Sequence, residues 1–433
     1  MSPGASPQAV IEHEVQERAR ELSLDLSDHD GEFELRRLIG EEVGRWQDDH
    51  RRGLRAIHLS DADGVAERAF RNLARYGPLT SLLDDPDVWE IMINAPDAIF
   101  VKRHQGGNGY HHEVFVDDDH VIRTLTRLLD QSSGAHRKLD PVEGLQDAQL
   151  DDGSRLHIVH GDLSRGGHLM VNIRRFTGVT FSTLDQLVDA AMMTAPAARF
   201  LAACARARQT MVFAGAPGSG KTTLLSCCAA ELDPSLRVVI AEEVFEADVP
   251  LANVASLQTR PARQDRPAID LRRLVAGFLR MAPDIAIVGE VRDREALPLL
   301  LTLSSGVKGF TTIHAGSARQ ALTRLRFIAQ LSDAASELPM SALNTLVSEA
   351  VDVVVHAERT SAGPRITGII AVEDLAGGTD AAQFTATDIF TAGPDGALIG
   401  TGHRPARLST ALARYGIDLR TLLEGSDVEA DAR

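Results

Sequence analysis

With 433 residues the chain is long enough for two or three domains, and its 44% hydrophobic content supplies full cores. Only 4% of residues are aromatic and the formal net charge is −16, which disfavours base-stacking platforms and non-specific attachment to nucleic acid or to an anionic membrane. The three cysteines, Cys204, Cys227 and Cys228, follow no metal-ligand spacing, no run approaches 18 apolar residues, and the N-terminus is acidic and polar, so the expectation is a cytoplasmic protein with free thiols and neither signal peptide nor membrane span.

Residues 1–55 are charged and helix-prone, with sparse apolar positions in "IEHEVQERARELSLDL" and "EFELRRLIGEEVGRWQDDHRRGLRAI", and read as a solvated helical N-terminal extension. The texture changes in "YGPLTSLLDDPDVWEIMINAPDAIFVKRHQG", where turn signals separate the short strands "EIMIN" and "AIFVKR". A helix, "DHVIRTLTRLLDQS", and two more strands, "SRLHIVHG" and "HLMVNIRRF", complete a smaller α+β N-terminal domain. With the linker "TGVTFSTLDQLVDA" it occupies residues 56–185.

Residues 186–433 alternate strands with helices. The apolar strands "TMVFAG", "RVVIAEE", "IAIVGEV" and "GFTTIHAG" are separated by helices such as "LRRLVAGFLRM" and "REALPLLLTLSS". That alternation means an α/β domain with a mostly parallel sheet and helices on both faces. At its end, "AVDVVVHAERT" and "RITGIIAVEDL" suggest a hairpin, a Gly/Asp-rich loop lies near Gly377, and "RLSTALARYGI" reads as a late helix.

The first chemical signal is "GAPGSGKTT", comprising Gly215, Ala216, Pro217, Gly218, Ser219, Gly220, Lys221, Thr222 and Thr223. It fits the phosphate-binding pattern G-x-x-x-x-G-K-[ST]. Glycines let backbone N–H groups crowd around phosphate oxygens, Lys221 reaches the β and γ phosphates, and the Thr222 hydroxyl is placed for Mg²⁺. A strand precedes the loop and a helix follows it, with the helix N-terminus toward the phosphates. Cys227 and Cys228 fall on buried faces of that helix.

Three further strand ends carry polar groups. Glu290 closes "IAIVGE", at the carboxyl end of a buried strand, where ligands sit in open α/β sheets. Where a carboxylate pair is usual, the first position is Gly289. Glu242 and Glu243 close "RVVIAEE", one helix after the loop, so that strand end is expected to adjoin the loop, and one of the two could orient or deprotonate the attacking water. His314 closes "GFTTIH" directly before a helix and could report a γ phosphate.

The ordered set "GAPGSGKTTLL", "AEEVFE", "LRMAPDIAIVGEVRDREA" and "GFTTIHAGSARQALTRL" resembles the secretion and pilus traffic ATPase superfamily of type II and type IV secretion. These proteins share a Walker A loop, an acidic box, a G-E variant of Walker B and a histidine box. The stretches "YGPLTSLLDDPDVWEIMIN", "DGSRLH" and "NIRRF" resemble the N-terminal domain of the tight-adherence (Flp) pilus, CpaF-type branch. The resemblance runs from Tyr76 to Asp374.

It implies a RecA-like P-loop NTPase domain that binds ATP and Mg²⁺ through Gly215–Thr223, with Thr222 and Glu290 at the metal. Glu242 matches the candidate base, Glu290 the Walker B glutamate and His314 the histidine-box residue; Arg155, Arg174 and Arg175 fall where arginines reach the γ phosphate. It also implies a homohexameric ring, peripheral at the inner membrane, docked on a platform protein. This sequence departs from the pattern in Glu243 for Asp, Asp293 for Gly and Gly316 for Asn, and lacks the four-cysteine zinc module of many type II secretion ATPases.

The expected activity is Mg²⁺-dependent ATP hydrolysis driving a domain clamp, because an arginine on the transferring phosphoryl group is worth on the order of 10³–10⁵ in rate. Two other readings are a nucleic-acid translocase or recombinase-like ATPase, which the absence of a lysine run and the few aromatics disfavour, and a nucleotide switch with little turnover. No nucleic acid is expected as partner.

Overall fold

The computed structural model describes residues 6–26, 29–104, 106–131, 139–175, 181–260, 262, 266–332, 338–375, 383–393 and 396–424. The chain forms two compact units, Met1–Thr177 and Gly178–Arg433. The first part of the expected linker and the loop near Gly377 lie outside the described residues.

The first unit opens with three helices, α1 (Pro7–Glu21), α2 (His29–Arg51) and α3 (Ala62–Ala74). Their apolar positions recur at helical spacing, as in Leu35, Leu38, Ile39, Val43 and Trp46 of α2. Together with Val10, Ile11 and Val15 of α1 and Ala69 and Phe70 of α3 they bury a cluster of their own. The expected solvated extension is therefore a packed helical layer, because three faces that are each sparse in apolar residues meet one another.

After α4 (Leu79–Asp84) come β1 (Val88–Ala95), β2 (Ala98–Arg103), β3 (Gly109–Tyr110), α5 (Asp118–Asp130), β4 (Leu145–Gln149), β5 (Arg155–Val159) and β6 (Met170–Arg174). The strands form one antiparallel sheet in the order β3-β2-β1-β6-β5-β4. Asp117 caps α5 by accepting from the N–H of His120 at 2.7 Å. Val121, Leu125, Leu128 and Leu129 of α5 then pack on the inward residues of β1, β5 and β6. Arg155 of β5 stands directly opposite Arg174 of β6.

The second unit contains α6 (Leu184–Asp189), α7 (Ala195–Arg206), β7 (Met211–Gly215), α8 (Lys221–Ala229), β8 (Val238–Glu242), β9 (Val254–Gln258), α9 (Leu271–Val275), β10 (Ile285–Val291), α10 (Ala296–Ser304), β11 (Lys308–Ile313), α11 (Ala318–Gln330) and α12 (Met340–Ala350). It ends with β12 (Val353–Thr360), β13 (Gly363–Val372), β14 (Ala386–Ala392), β15 (Leu398–Gly400), α13 (Ala406–Ala413) and α14 (Leu419–Glu424). The sheet order is β15-β14-β13-β12-β7-β11-β10-β8-β9. From β12 to β9 every pairing is parallel, and β12 to β15 form an antiparallel meander.

Alternate residues of the central strands feed two cores. Met211, Phe213, Val238, Ile240, Ile285, Ile287, Val353 and Val355 pack against α7, α8 and α13. Val212, Ala214, Val239, Ala241, Ala286, Val288 and Val354 pack against α9 to α12. A strand buried on both faces needs apolar side chains at every position, which is why these segments read as unbroken apolar runs. This is the RecA-like α/β fold expected for the ATPase domain.

Two expectations are revised. The helix expected over "LRRLVAGFLRM" breaks after Val275 into a short 3₁₀ turn, Phe278–Met281, which Ala282 ends in a left-handed conformation (φ 50°). The edge strands β9 and β15, and β14 beside β15, were not expected; they are only partly buried.

Candidate functional site

The loop between β7 and α8 is shaped by two glycines. Gly215 runs so close to β12 that a Cβ there would stand 2.1 Å from the Ala357 carbonyl oxygen. Gly220 adopts φ +83° at the head of α8, a conformation L side chains rarely take. The Lys221 side chain is buried, and its Nζ donates to the Ala216 carbonyl at 2.9 Å and lies 3.4 Å from His314 Nδ1. Ser219 is fully buried, and its Oγ has no hydrogen-bond partner among the described residues.

His314 follows β11, the neighbour of β7, and so stands beside the loop. Its Nδ1 is 3.2 Å from the Gly215 carbonyl, and its Nε2 is 2.6 Å from Glu290 Oε1. Glu290 lies on β10, the next strand out. Strand order thus lines up Lys221, His314 and Glu290 across β7, β11 and β10. The other Glu290 oxygen, Oε2, accepts from Arg292 Nη2 at 2.6 Å. Burial would raise the Glu290 pKa, but the hydrogen bonds from His314 and Arg292 outweigh it and hold this carboxyl well below the usual range.

The end of β8 does not adjoin the loop as expected. β8 is separated from β7 by β10 and β11, because consecutive strands in the chain need not be neighbours in a parallel sheet. Glu242 at its end is buried, and its Oε1 accepts from the N–H groups of Glu246 (3.1 Å) and Ala247 (2.9 Å). A Cβ on Gly289 would stand 2.8 Å from Glu242 Cγ. The glycine in place of the first Walker B carboxylate thus makes room for the acidic-box side chain next door. Glu243 is exposed and pairs with Arg292 Nη1 at 3.2 Å.

The turn after β8 does reach the loop. Thr222 Oγ1 lies 3.4 Å from Glu246 Oε2. On the other side Arg359, at the end of β12, donates to the Gly218 carbonyl at 3.3 Å. Glu246, Arg292 and Arg359 were missed in the sequence. Glu246 and Arg292 sit inside quoted motifs, whereas nothing local marks Arg359; its place comes from β12 pairing beside β7.

The three arginines lie in the other unit. Arg155 and Arg174 are cross-strand neighbours, whose side chains share a face of the sheet. Arg175 is spent locally: its Nη1 donates to the carbonyls of Leu82 (3.0 Å), Val88 (3.2 Å) and Asp85. Burial pulls its pKa down, opposed by the charges of Asp152, Asp85 and Asp84. Among the described residues no group of His, Cys, Asp and Glu forms a ready-made metal cluster, and no helix is long and apolar enough to cross a membrane.

Residues 72–361 match the sequence model of the type II/IV secretion system protein family. The conjugal transfer protein TrbB of Rhizobium radiobacter is 32% identical over 306 residues, covering 67% of this chain and 85% of that protein. The type IV secretion system protein PtlH homolog of Bordetella bronchiseptica is 30% identical over 301 residues, covering 64% of this chain and 87% of that protein. Among solved structures, the VirB11 ATPase of the Brucella suis type IV secretion system is 25% identical with a TM-score of 0.36, covering 67% of this chain and 94% of that one. The Legionella pneumophila ATPase DotB is 15% identical with a TM-score of 0.47, covering 80% of this chain and 85% of that one.

Proposed function

The chain belongs to the type II/IV secretion system protein family, and from that premise we propose that it is a Mg²⁺-dependent ATPase motor powering Flp-type pilus assembly or type IV-like export at the inner membrane. Membership supports ATP hydrolysis in general. The named relatives are conjugal-transfer and type IV secretion proteins, so export stands beside pilus assembly as the work done. A homohexameric ring and a membrane platform partner belong to the same proposal, as does the division into a helical extension, an α+β domain and an ATPase domain.

The observation that carries the reading is the continuous polar line from Lys221 through His314 to Glu290 beside a loop that needs glycine at 215 and 220. The loop fits a nucleotide's phosphates. Its glycine at 215 tolerates no Cβ, a buried Ser219 hydroxyl has no partner among the described residues, and a buried ammonium sits at the helix head. Thr222 and Glu290 would hold Mg²⁺, which when bound neutralises charge on the phosphates.

Within this reading Lys221 places a point charge on the β and γ phosphates. His314 and Arg292 hold the Glu290 carboxyl well below the usual carboxylate range, which suits charge and orientation better than proton abstraction. Glu242 or Glu243 is left as the group that orients or deprotonates the attacking water. Arg155 and Arg174 are the arginines assigned to the γ phosphate in this reading.

Steady-state hydrolysis and fluorescent-nucleotide binding test the reading. Lys221→Ala is expected to abolish turnover without loss of the fold, and Glu290→Gln to keep nucleotide affinity while turnover falls at least about 100-fold. Wild-type turnover in Lys221→Ala would sink the proposal.

A further inference from the structure

Arg292 is not among the residues that the motifs assign a role, yet its guanidinium reaches two carboxylates at the site. Its guanidinium joins the carboxylates that close two neighbouring strands, Nη2 to Glu290 Oε2 at 2.6 Å and Nη1 to Glu243 Oε2 at 3.2 Å. β8 and β10 are paired in register up to Val288 and Ala241, so the two glutamates project from adjacent strand ends. A planar fork can satisfy both at once, which a single ammonium cannot.

The turn that carries the fork is itself pinned. Glu295, only 5% exposed, accepts with one oxygen, Oε1, from the N–H groups of both Arg292 (2.5 Å) and Asp293 (2.8 Å). A buried carboxylate thus fixes the backbone from which the half-exposed guanidinium extends. Glu290 in turn divides its oxygens, Oε2 to Arg292 and Oε1 to His314 Nε2.

We propose that Arg292 is a positioning residue: it sets the orientation of Glu290 toward His314 and couples that orientation to Glu243, with Glu295 fixing the turn. The inference rests on the ATPase reading above. Its physical basis is that a reacting geometry lost by about 1 Å costs on the order of 100-fold in rate, while ground-state binding by the phosphate loop needs neither carboxylate.

The test is a mutant cycle on the full chain. The readouts are single-turnover hydrolysis, affinity for a fluorescent ADP analogue and thermal melting. Arg292→Ala is expected to lower the hydrolysis rate about 10- to 100-fold with nucleotide affinity within about twofold of wild type. Arg292→Lys is expected to recover only a minor part, because it restores the charge without the fork. In a Glu290→Gln background, Arg292→Ala is expected to add little further loss, since its effect passes through Glu290.

A wild-type rate in Arg292→Ala, full recovery by Lys, or a full additional loss in the Glu290→Gln background would each overturn the proposal. Should Arg292→Ala melt early, Arg292→Gln replaces it, judged by the same criteria. Failure here is distinct from failure of the ATPase reading. If Lys221→Ala is inactive while Arg292→Ala hydrolyses normally, only the positioning role falls.

Discussion

Arg174 and Arg175 adjoin in the chain, and the second is the one held by local carbonyls. The N–H of Arg175 donates to the Trp89 carbonyl, extending the pairing of β6 with β1, and its guanidinium fills a nest of three carbonyls. Removing it leaves buried acceptors unsatisfied, at a cost of about 2 kcal/mol or more. Arg175→Ala is therefore expected to lower the melting temperature of the chain. Arg155→Ala and Arg174→Ala are expected to remove most hydrolysis and little nucleotide affinity. Calorimetry beside single-turnover kinetics checks this, and full activity in both would remove Arg155 and Arg174 from the proposed mechanism.

Among the elements, β10 is the one whose end is tuned most closely. Its register shifts between Val288 and Val291, and Gly289 sits in that irregular stretch against Glu242. Gly289→Ala would press a methyl group into a buried side chain that two backbone N–H groups hold in place. Glu242 must then move, so turnover is expected to fall about tenfold or more while the loop still binds nucleotide. Unchanged kinetics in that variant would mean that Glu242 has no part in hydrolysis. The helix α8 supplies a contrast: Cys227 and Cys228 lie fully buried on it as expected, and burial pushes the Cys227 thiol up to about 12. Both pack into the core that α8 shares with the sheet.

For the molecule as a whole, the first unit holds a pH-sensitive point. His120 of α5 is only 3% exposed; its Nδ1 accepts from the Val116 N–H at 3.3 Å, and its ring meets Phe115 edge-on. Burial, aided by the charge of Arg123, lowers its pKa from 6.5 to about 4. The unfolded chain then binds the proton first on acidification. Stability contributed by neutral His120 is complete above about pH 6.5 and is lost as pH falls toward 4, on the order of a few kcal/mol. Urea unfolding at pH 7.5 and 4.5 is expected to show that much smaller a loss in His120→Gln than in wild type. Equal losses would remove the histidine from the account.

Much of this protein was legible in the chain alone. The phosphate loop, the buried parallel strands and the strand-end groups Glu290 and His314 are local, since glycine spacing and unbroken apolar runs follow from backbone geometry and from burial on both faces of a sheet. The first-unit strands β1, β2, β5 and β6 were legible for the same reason, with turn residues marking their ends. The packing of α1 to α3 was hidden because each face is too poor in apolar residues to announce a core until the others cover it. Strand order was hidden as well, and with it everything that depends on which ends are neighbours. Only the tertiary structure removes β8 from the side of β7, sets Gly289 against Glu242, brings Arg359 to the loop and hangs two glutamates on Arg292. Hydrophobic pattern decides that a segment is a buried strand. Which strand lies beside it is decided by how the crossing helices and the two cores close together, and that is a property of the whole sheet.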